Sequence, residues 1–271
     1  MLSQTPTRIV VEPKEYMTMI FGGPGVGKTS WAAQIPGHYF LLTEQGVSGV
    51  SVYGSYIFSF PEFETKCIEL VEGKESGWRD QRPVEVIVVD VYERLFRLAG
   101  QYICETETFI DKGVAKKYKQ IEDVPWGRGY GRTTDFLVEK FVKLRLFGFG
   151  IVLICHAQDK TFEWNKQDVM TTLIDLSKVP RNGILSQCDA SGYFYVEGEE
   201  KKDAATGKIS SFETGRWMQW QPTFCVPNAK HRLSGFPERL KLERGVGWQT
   251  YVDTFEEYAK LETKSERIVE S

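Results

Sequence analysis

Long apolar runs are missing from this chain of 271 residues, and so is any excess of one charge: 34 Lys and Arg stand against 37 Asp and Glu, a formal net charge of −3. The first absence excludes a helix that spans a bilayer. The second excludes a protein that is basic all over, so any contact with nucleic acid has to come from a local patch. The opening residues 1–8 lack the basic-then-apolar layout of a secretion signal, and the expectation is a soluble, cytoplasmic protein with no membrane partner. Zinc-ligand spacing is missing too. The five cysteines, Cys67, Cys104, Cys155, Cys188 and Cys225, include no C-x-x-C pair and read as reduced thiols, with Cys155 in the core. Repeats and low-complexity linkers are also lacking, which favours one continuous domain over 1–271.

What is present is a loop of fixed pattern. Gly22, Gly23, Pro24, Gly25, Val26, Gly27, Lys28 and Thr29 fit G-x-x-x-x-G-K-[ST] at every fixed position, and Ser30 follows. The apolar residues 17–21 before it suit a strand, and 30–34 after it suit a helix. Glycines let backbone N–H groups converge on phosphate oxygens at a helix N-terminus. Lys28 then supplies a point charge to the β- and γ-phosphates, and the Thr29 hydroxyl a Mg²⁺ ligand. A glycine-rich turn that matched by chance would not need that flanking context. ATP and Mg²⁺ are the cofactors this loop implies.

The remaining pattern predicts an α/β fold with a mostly parallel central sheet covered by helices. Strands are expected at 38–43, 56–60, 84–90 and 150–155, helices at 62–71, 92–104 and 133–147, and an exposed loop at 73–83. Gly46 should begin the turn after the second strand. From about 191 the style changes: strands at 193–196 and 212–220 around a polar turn at 203–208 predict an antiparallel hairpin. A short strand at 240–242 and a helix at 252–261 follow, with a charged tail that frays after 263. The expected division is an extension at 1–15, a nucleotide-binding core at 16–190, a β-rich extension at 191–251 and a helix and tail at 252–271.

Hydrolysis of a nucleoside triphosphate needs a carboxylate for the metal, a group that activates water and a cation for the γ-phosphate. Asp90, delivered at the end of an aliphatic strand, fills the first role. Val91 follows it, where many ATPases carry the basic glutamate. Glu44 is the better base, at the C-terminal end of a core strand where ligands collect in open α/β sheets; Glu93 is its rival.

That placement resembles the RecA family, specifically the RecA-like ATPases of bacteriophages associated with single-strand annealing and recombination. The resemblance rests on 22–29, 40–44, 86–90, 152–156 and 228–232, within residues 16–245. It implies that Glu44 activates water and that His156 or Gln158 reports the γ-phosphate; RecA proper has an amide where His156 stands. It also implies that Lys230 and Arg232, in a K-x-R element, reach a neighbouring subunit's nucleotide, so that the protein is a homo-oligomer, filament or ring, in the cytoplasm of an infected host. Trp31 and Tyr92 read as packing residues.

Between the helices expected at 92–104 and 133–147 a long, structureless loop is expected, with Gly113, Pro125, Gly127, Gly129 and Gly131, in which cations and aromatics interleave with glycine: Lys112, Lys116, Lys117, Tyr118, Lys119, Trp126, Arg128, Tyr130 and Arg132. Cations follow a phosphate chain and aromatic faces stack on bases, a combination suited to single-stranded DNA. A second loop after Gln158 would add Lys160, Trp164, Lys166, Lys178 and Arg181. The functions in view are an ATPase acting on single-stranded DNA, alone or with a single-strand DNA-binding protein; a hexameric helicase or its loader; and a small-molecule kinase, for which no Arg-rich lid is recognisable.

Overall fold

The structure, a computed structural model, describes residues 11–45, 49–78, 82–164, 166–202 and 209–269. The expected N-terminal extension up to residue 10, the turn residue Gly46 and the turn at 203–208 lie outside them.

Aliphatic runs build the centre. β1 (Met17–Gly22), β2 (His38–Leu42), β3 (Gly54–Tyr56), β4 (Val86–Asp90), β7 (Gly150–Trp164) and β9 (Ala190–Lys202) are parallel wherever they pair with one another. Among the described residues the sheet is ten-stranded, in the order β12–β10–β9–β1–β7–β4–β2–β3, with β11 also on β9 and β8 on β7. Here β8 is Gln167–Ile174, β10 Ile209–Gln219, β11 Lys230–His231 and β12 Arg239–Lys241, all antiparallel to their partners.

Alternation along each central strand feeds two cores. Met17, Met19, Phe21, Ile87, Val89, Ile151 and Leu153 pack on one face, under α2 (Phe60–Glu75), α3 (Tyr92–Thr106), α4 (Arg128–Leu146) and α5 (Lys178–Gln187). Ile20, Val86, Val88, Val152 and Ile154 pack on the other, under α1 (Lys28–Ala32) and α6 (Gly247–Val269). The expected α/β architecture with its antiparallel hairpin is therefore the one observed.

α1 has only five residues, too few to persist by itself. Its anchor is Trp31, fully buried, whose ring lies 5.7 Å from Phe194, 6.2 Å from Trp220, 5.2 Å from Trp248 and 5.7 Å from Tyr251. Gln34 Oε1 accepts the Trp248 N–H at 3.1 Å. The helix after the phosphate loop is thus held by the C-terminal third of the chain.

Three expectations need correction. Residues 56–60 are not a strand: β3 ends at Tyr56, and α2 starts at Phe60 with Ser59 as its cap, so the helix also takes residues 73–75 of the expected loop. The segment 105–132 is not structureless. It contains the hairpin of β5 (Phe109–Asp111) and β6 (Val114–Lys116), and α4 begins at Arg128 rather than 133. Residues after Gln158 do not form a loop either, since β7 runs on to Trp164 and pairs with β8.

Candidate nucleotide site

β1 ends at Gly22, where the chain turns into the phosphate loop. A side chain at Gly22 would run into the backbone carbonyl of Phe194 on β9, so only glycine lets the loop start here. At the other end Gly27 takes φ +105 as the residue before α1, with Leu242 against it. Pro24 and Gly25 form the exposed apex, while Val26 tucks inward. Lys28 is buried at 7% exposure, and its ammonium donates to Gly22 O at 2.8 Å and Gly23 O at 2.7 Å. Burial lowers its pKa, against the opposing charges of Asp90 and Glu93.

Order in the sheet brings the second element to the first. β7 lies between β1 and β4, with register Gly22↔His156 and Asp90↔Ile154. Across that strand the Thr29 hydroxyl donates to Asp90 Oδ2 at 2.9 Å. Burial raises the Asp90 pKa, opposed by the Thr29 hydrogen bond and by Lys28. A hydroxyl and one carboxylate, side by side beside a phosphate loop, fit Mg²⁺, which takes few protein oxygens and completes its shell with phosphate and water. Thr29 and Asp90 would hold the ion, which when bound supplies charge neutralisation on the transferring phosphate.

Glu44 stands exposed just past β2, where its negative charge opposes ionisation of Asp90. Glu93, the rival, is 5% exposed on the first turn of α3; its Oε1 accepts the backbone N–H of His156 and its Oε2 has no partner. Burial pushes its pKa up to about 8. His156 thus has its carbonyl on Asp175 N at 3.0 Å and its amide on Glu93, at the strand end between loop and carboxylate.

The K-x-R element lies elsewhere. Lys230 donates to Leu185 O at 2.7 Å, and Arg232 Nη1 sits 2.6 Å from Asp189 Oδ1 in an ion pair without hydrogen-bond geometry. Asp189 is buried and also accepts Met17 N–H at 2.9 Å and Arg145 Nη2 at 2.9 Å. That junction is at the start of β1, roughly 17 Å of strand from the loop at its other end. The Arg232 side chain is 66% exposed and pairs with Asp189 at that junction rather than with the loop.

In the expected DNA segment most cations have local partners. Lys116 pairs with Asp111 at 2.8 Å, Lys117 donates to Glu105 O at 2.9 Å, and Arg132 grips Glu107 through two bonds of 2.9 and 2.6 Å. Arg128 Nε reaches Pro125 O at 3.3 Å, and Tyr130 donates to Glu122 at 3.3 Å while stacking on Phe96. Trp126 is 94% exposed. Lys119 and Lys160, one from each expected loop, line a single cleft of about 620 Å³ whose wall includes Glu93, Gln158, Arg97, Tyr130, Glu122 and Asp175. Of the other second-loop residues, Lys166 stands at the tip of the β7–β8 hairpin, Lys178 and Arg181 are on α5, and the Trp164 side chain lies outside the described residues.

Sequence reasoning missed three features: the partnerless oxygen of buried Glu93, the Asp189 junction, and Arg216, whose Nη1 donates to Gly25 O at 2.9 Å. A lone Asp or Arg in a strand-rich stretch carries no signal of that kind.

A loop closed by its own lysine, with a threonine and a buried aspartate from a neighbouring strand, defines a P-loop nucleotide-binding site on a nucleoside triphosphatase fold. Residues 14–233 match the AAA domain family, and the chain belongs to that family. A search of curated proteins gives no match. Among the described residues no helix is long and apolar enough to cross a membrane.

Proposed function

We propose that the chain is a Mg²⁺-dependent, RecA-like ATPase that acts on single-stranded DNA as a homo-oligomer, in phage recombination, annealing or replication. The observation that carries this reading is the shared cleft. Lys119, between β6 and α4, and Lys160, on β7, line it together with Glu93. Glu93 also holds the amide of His156 beside the phosphate loop. A strand of DNA that engages the cleft therefore has a short route, through one carboxylate and one backbone amide, to the end of β7.

In the reaction, water attacks the γ-phosphorus while the bond to the β-phosphate oxygen breaks, giving ADP and phosphate. Glu44 takes the proton of the attacking water. Lys28 holds the β- and γ-phosphates, and Arg232 contributes from the adjoining subunit. Because the cleft sets Arg97, Lys119 and Lys160 against Glu93, Glu105, Glu122 and Asp175, DNA affinity is modest.

The test is ATPase turnover with and without single-stranded DNA, together with a sizing measurement. Turnover stimulated by DNA in an oligomer is expected. Lys119→Ala with Lys160→Ala should weaken DNA binding and reduce its salt slope by about 0.7 for each lost phosphate contact. DNA binding and turnover unchanged in the double variant would remove the cleft from the reading.

A further inference from the structure

β10 reaches the phosphate loop from the side away from Asp90, and it does so through an irregularity. In a regular strand, residues three apart point to opposite faces. Between Glu213 and Gly215 the register of β10 against β9 shifts, leaving Thr214 out of the pairing. Such a bulge re-aims the side chains beyond it. Glu213 and Arg216 consequently meet, with Arg216 Nε on Glu213 Oε1 at 2.7 Å and Nη2 on Oε2 at 3.3 Å.

The same guanidinium then turns its Nη1 to the apex of the loop, 2.9 Å from Gly25 O. Its backbone is pinned as well, since Leu242 N donates to Arg216 O at 2.8 Å and the Leu242 side chain packs against Gly27. The loop therefore lies between two cations. Lys28 is folded inward and buried, while the Arg216 side chain is 39% exposed on the outer rim. Donors remain unused on both of its terminal nitrogens.

We propose that Arg216 is a phosphate-binding residue of the chain's own nucleotide site, held by Glu213 as a counter-ion until a triphosphate takes its place. This rests on the reading of the loop as an ATP site. A planar fork suits phosphate oxygens, and a carboxylate at the same rim repels them. Two substitutions in one ion pair thus have opposite signs: losing the arginine weakens ATP, and neutralising the glutamate tightens it. If Arg216 only braces the Gly25 carbonyl, both substitutions loosen the brace and both weaken ATP.

The experiment is calorimetric titration of the full chain, with Mg²⁺, using a non-hydrolysable ATP analogue and AMP. Arg216→Ala should weaken the triphosphate about tenfold to a hundredfold, the range for a hydrogen-bonded charge, and affect AMP far less. Arg216→Lys should fall between the two, keeping charge without the fork. Glu213→Gln should tighten the triphosphate severalfold. An unchanged triphosphate affinity in Arg216→Ala, an equal loss for AMP, or a Glu213→Gln protein that does not bind more tightly overturns the proposal. A parent protein that binds no triphosphate overturns the ATP-site reading along with it. A parent that binds, and that loses binding on Lys28→Ala, leaves any failure with Arg216 alone.

Discussion

Replacing Glu93 by glutamine should make the protein more stable, and the gain should depend on pH. The carboxyl is buried, one oxygen satisfied by His156 N–H and the other unpartnered. Burial raises its pKa from 4.5 to about 8, with Asp175 adding to the shift and Lys28 opposing it; Cys155 and Tyr92 are its other titratable neighbours. Below pH 4.5 the group is protonated in folded and unfolded chains alike and costs nothing. Between pH 4.5 and about 8 the unfolded chain releases the proton and the folded one keeps it, so stability falls as pH rises. At about 1.4 kcal/mol per unit the full loss approaches roughly 4–5 kcal/mol. Glutamine keeps the acceptor for His156 and has no proton to release. Urea unfolding of parent and Glu93→Gln from pH 4.5 to 9 should give curves that start together and diverge by several kcal/mol, the variant on top. Curves that run parallel over this range would refute the burial argument and show that another group carries the dependence.

The other expectations concern the site and its supports. Asp90→Asn should keep part of the nucleotide affinity and lose Mg²⁺-dependent hydrolysis, read as turnover against Mg²⁺ concentration; equal turnover would reject its metal role. Glu44→Gln should slow hydrolysis by about 10² or more with ATP still bound, and if only Glu93→Gln loses turnover the base has been assigned to the wrong carboxylate. Asp189→Ala should cost roughly 2–4 kcal/mol in denaturant unfolding, because the buried Met17 N–H and Arg145 lose a shared acceptor and Arg232 its ion-pair partner. A variant as stable as the parent would mean that water or a neighbour replaces it.

The loop and its carboxylate were legible because their chemistry fixes residue type at fixed spacing, and the aliphatic strands because a doubly covered sheet leaves few polar positions inside. The start of α4 was hidden by Gly127, Gly129 and Gly131, which read as a loop. In fact a side chain at Gly129 would collide with the backbone carbonyl of Ile121, so that glycine serves close packing rather than a turn. Glu93 read only as the rival base to Glu44, and its burial stayed hidden, since nothing local tells that the first turn of α3 faces inward toward β7. Arg216 depended on a bulge, and a bulge is set by tertiary pairing that no short window of sequence displays.

The setting of Trp31 has a temporal side. Its ring partners lie at 194, 220, 248 and 251, so the helix after the phosphate loop gains its aromatic wall only when those later residues have been made. On the ribosome, residues 22–32 emerge long before α6 and wait for it. The ability to bind nucleotide is accordingly acquired only once α6 has been made, and a chain cut short before it carries the motif without the site.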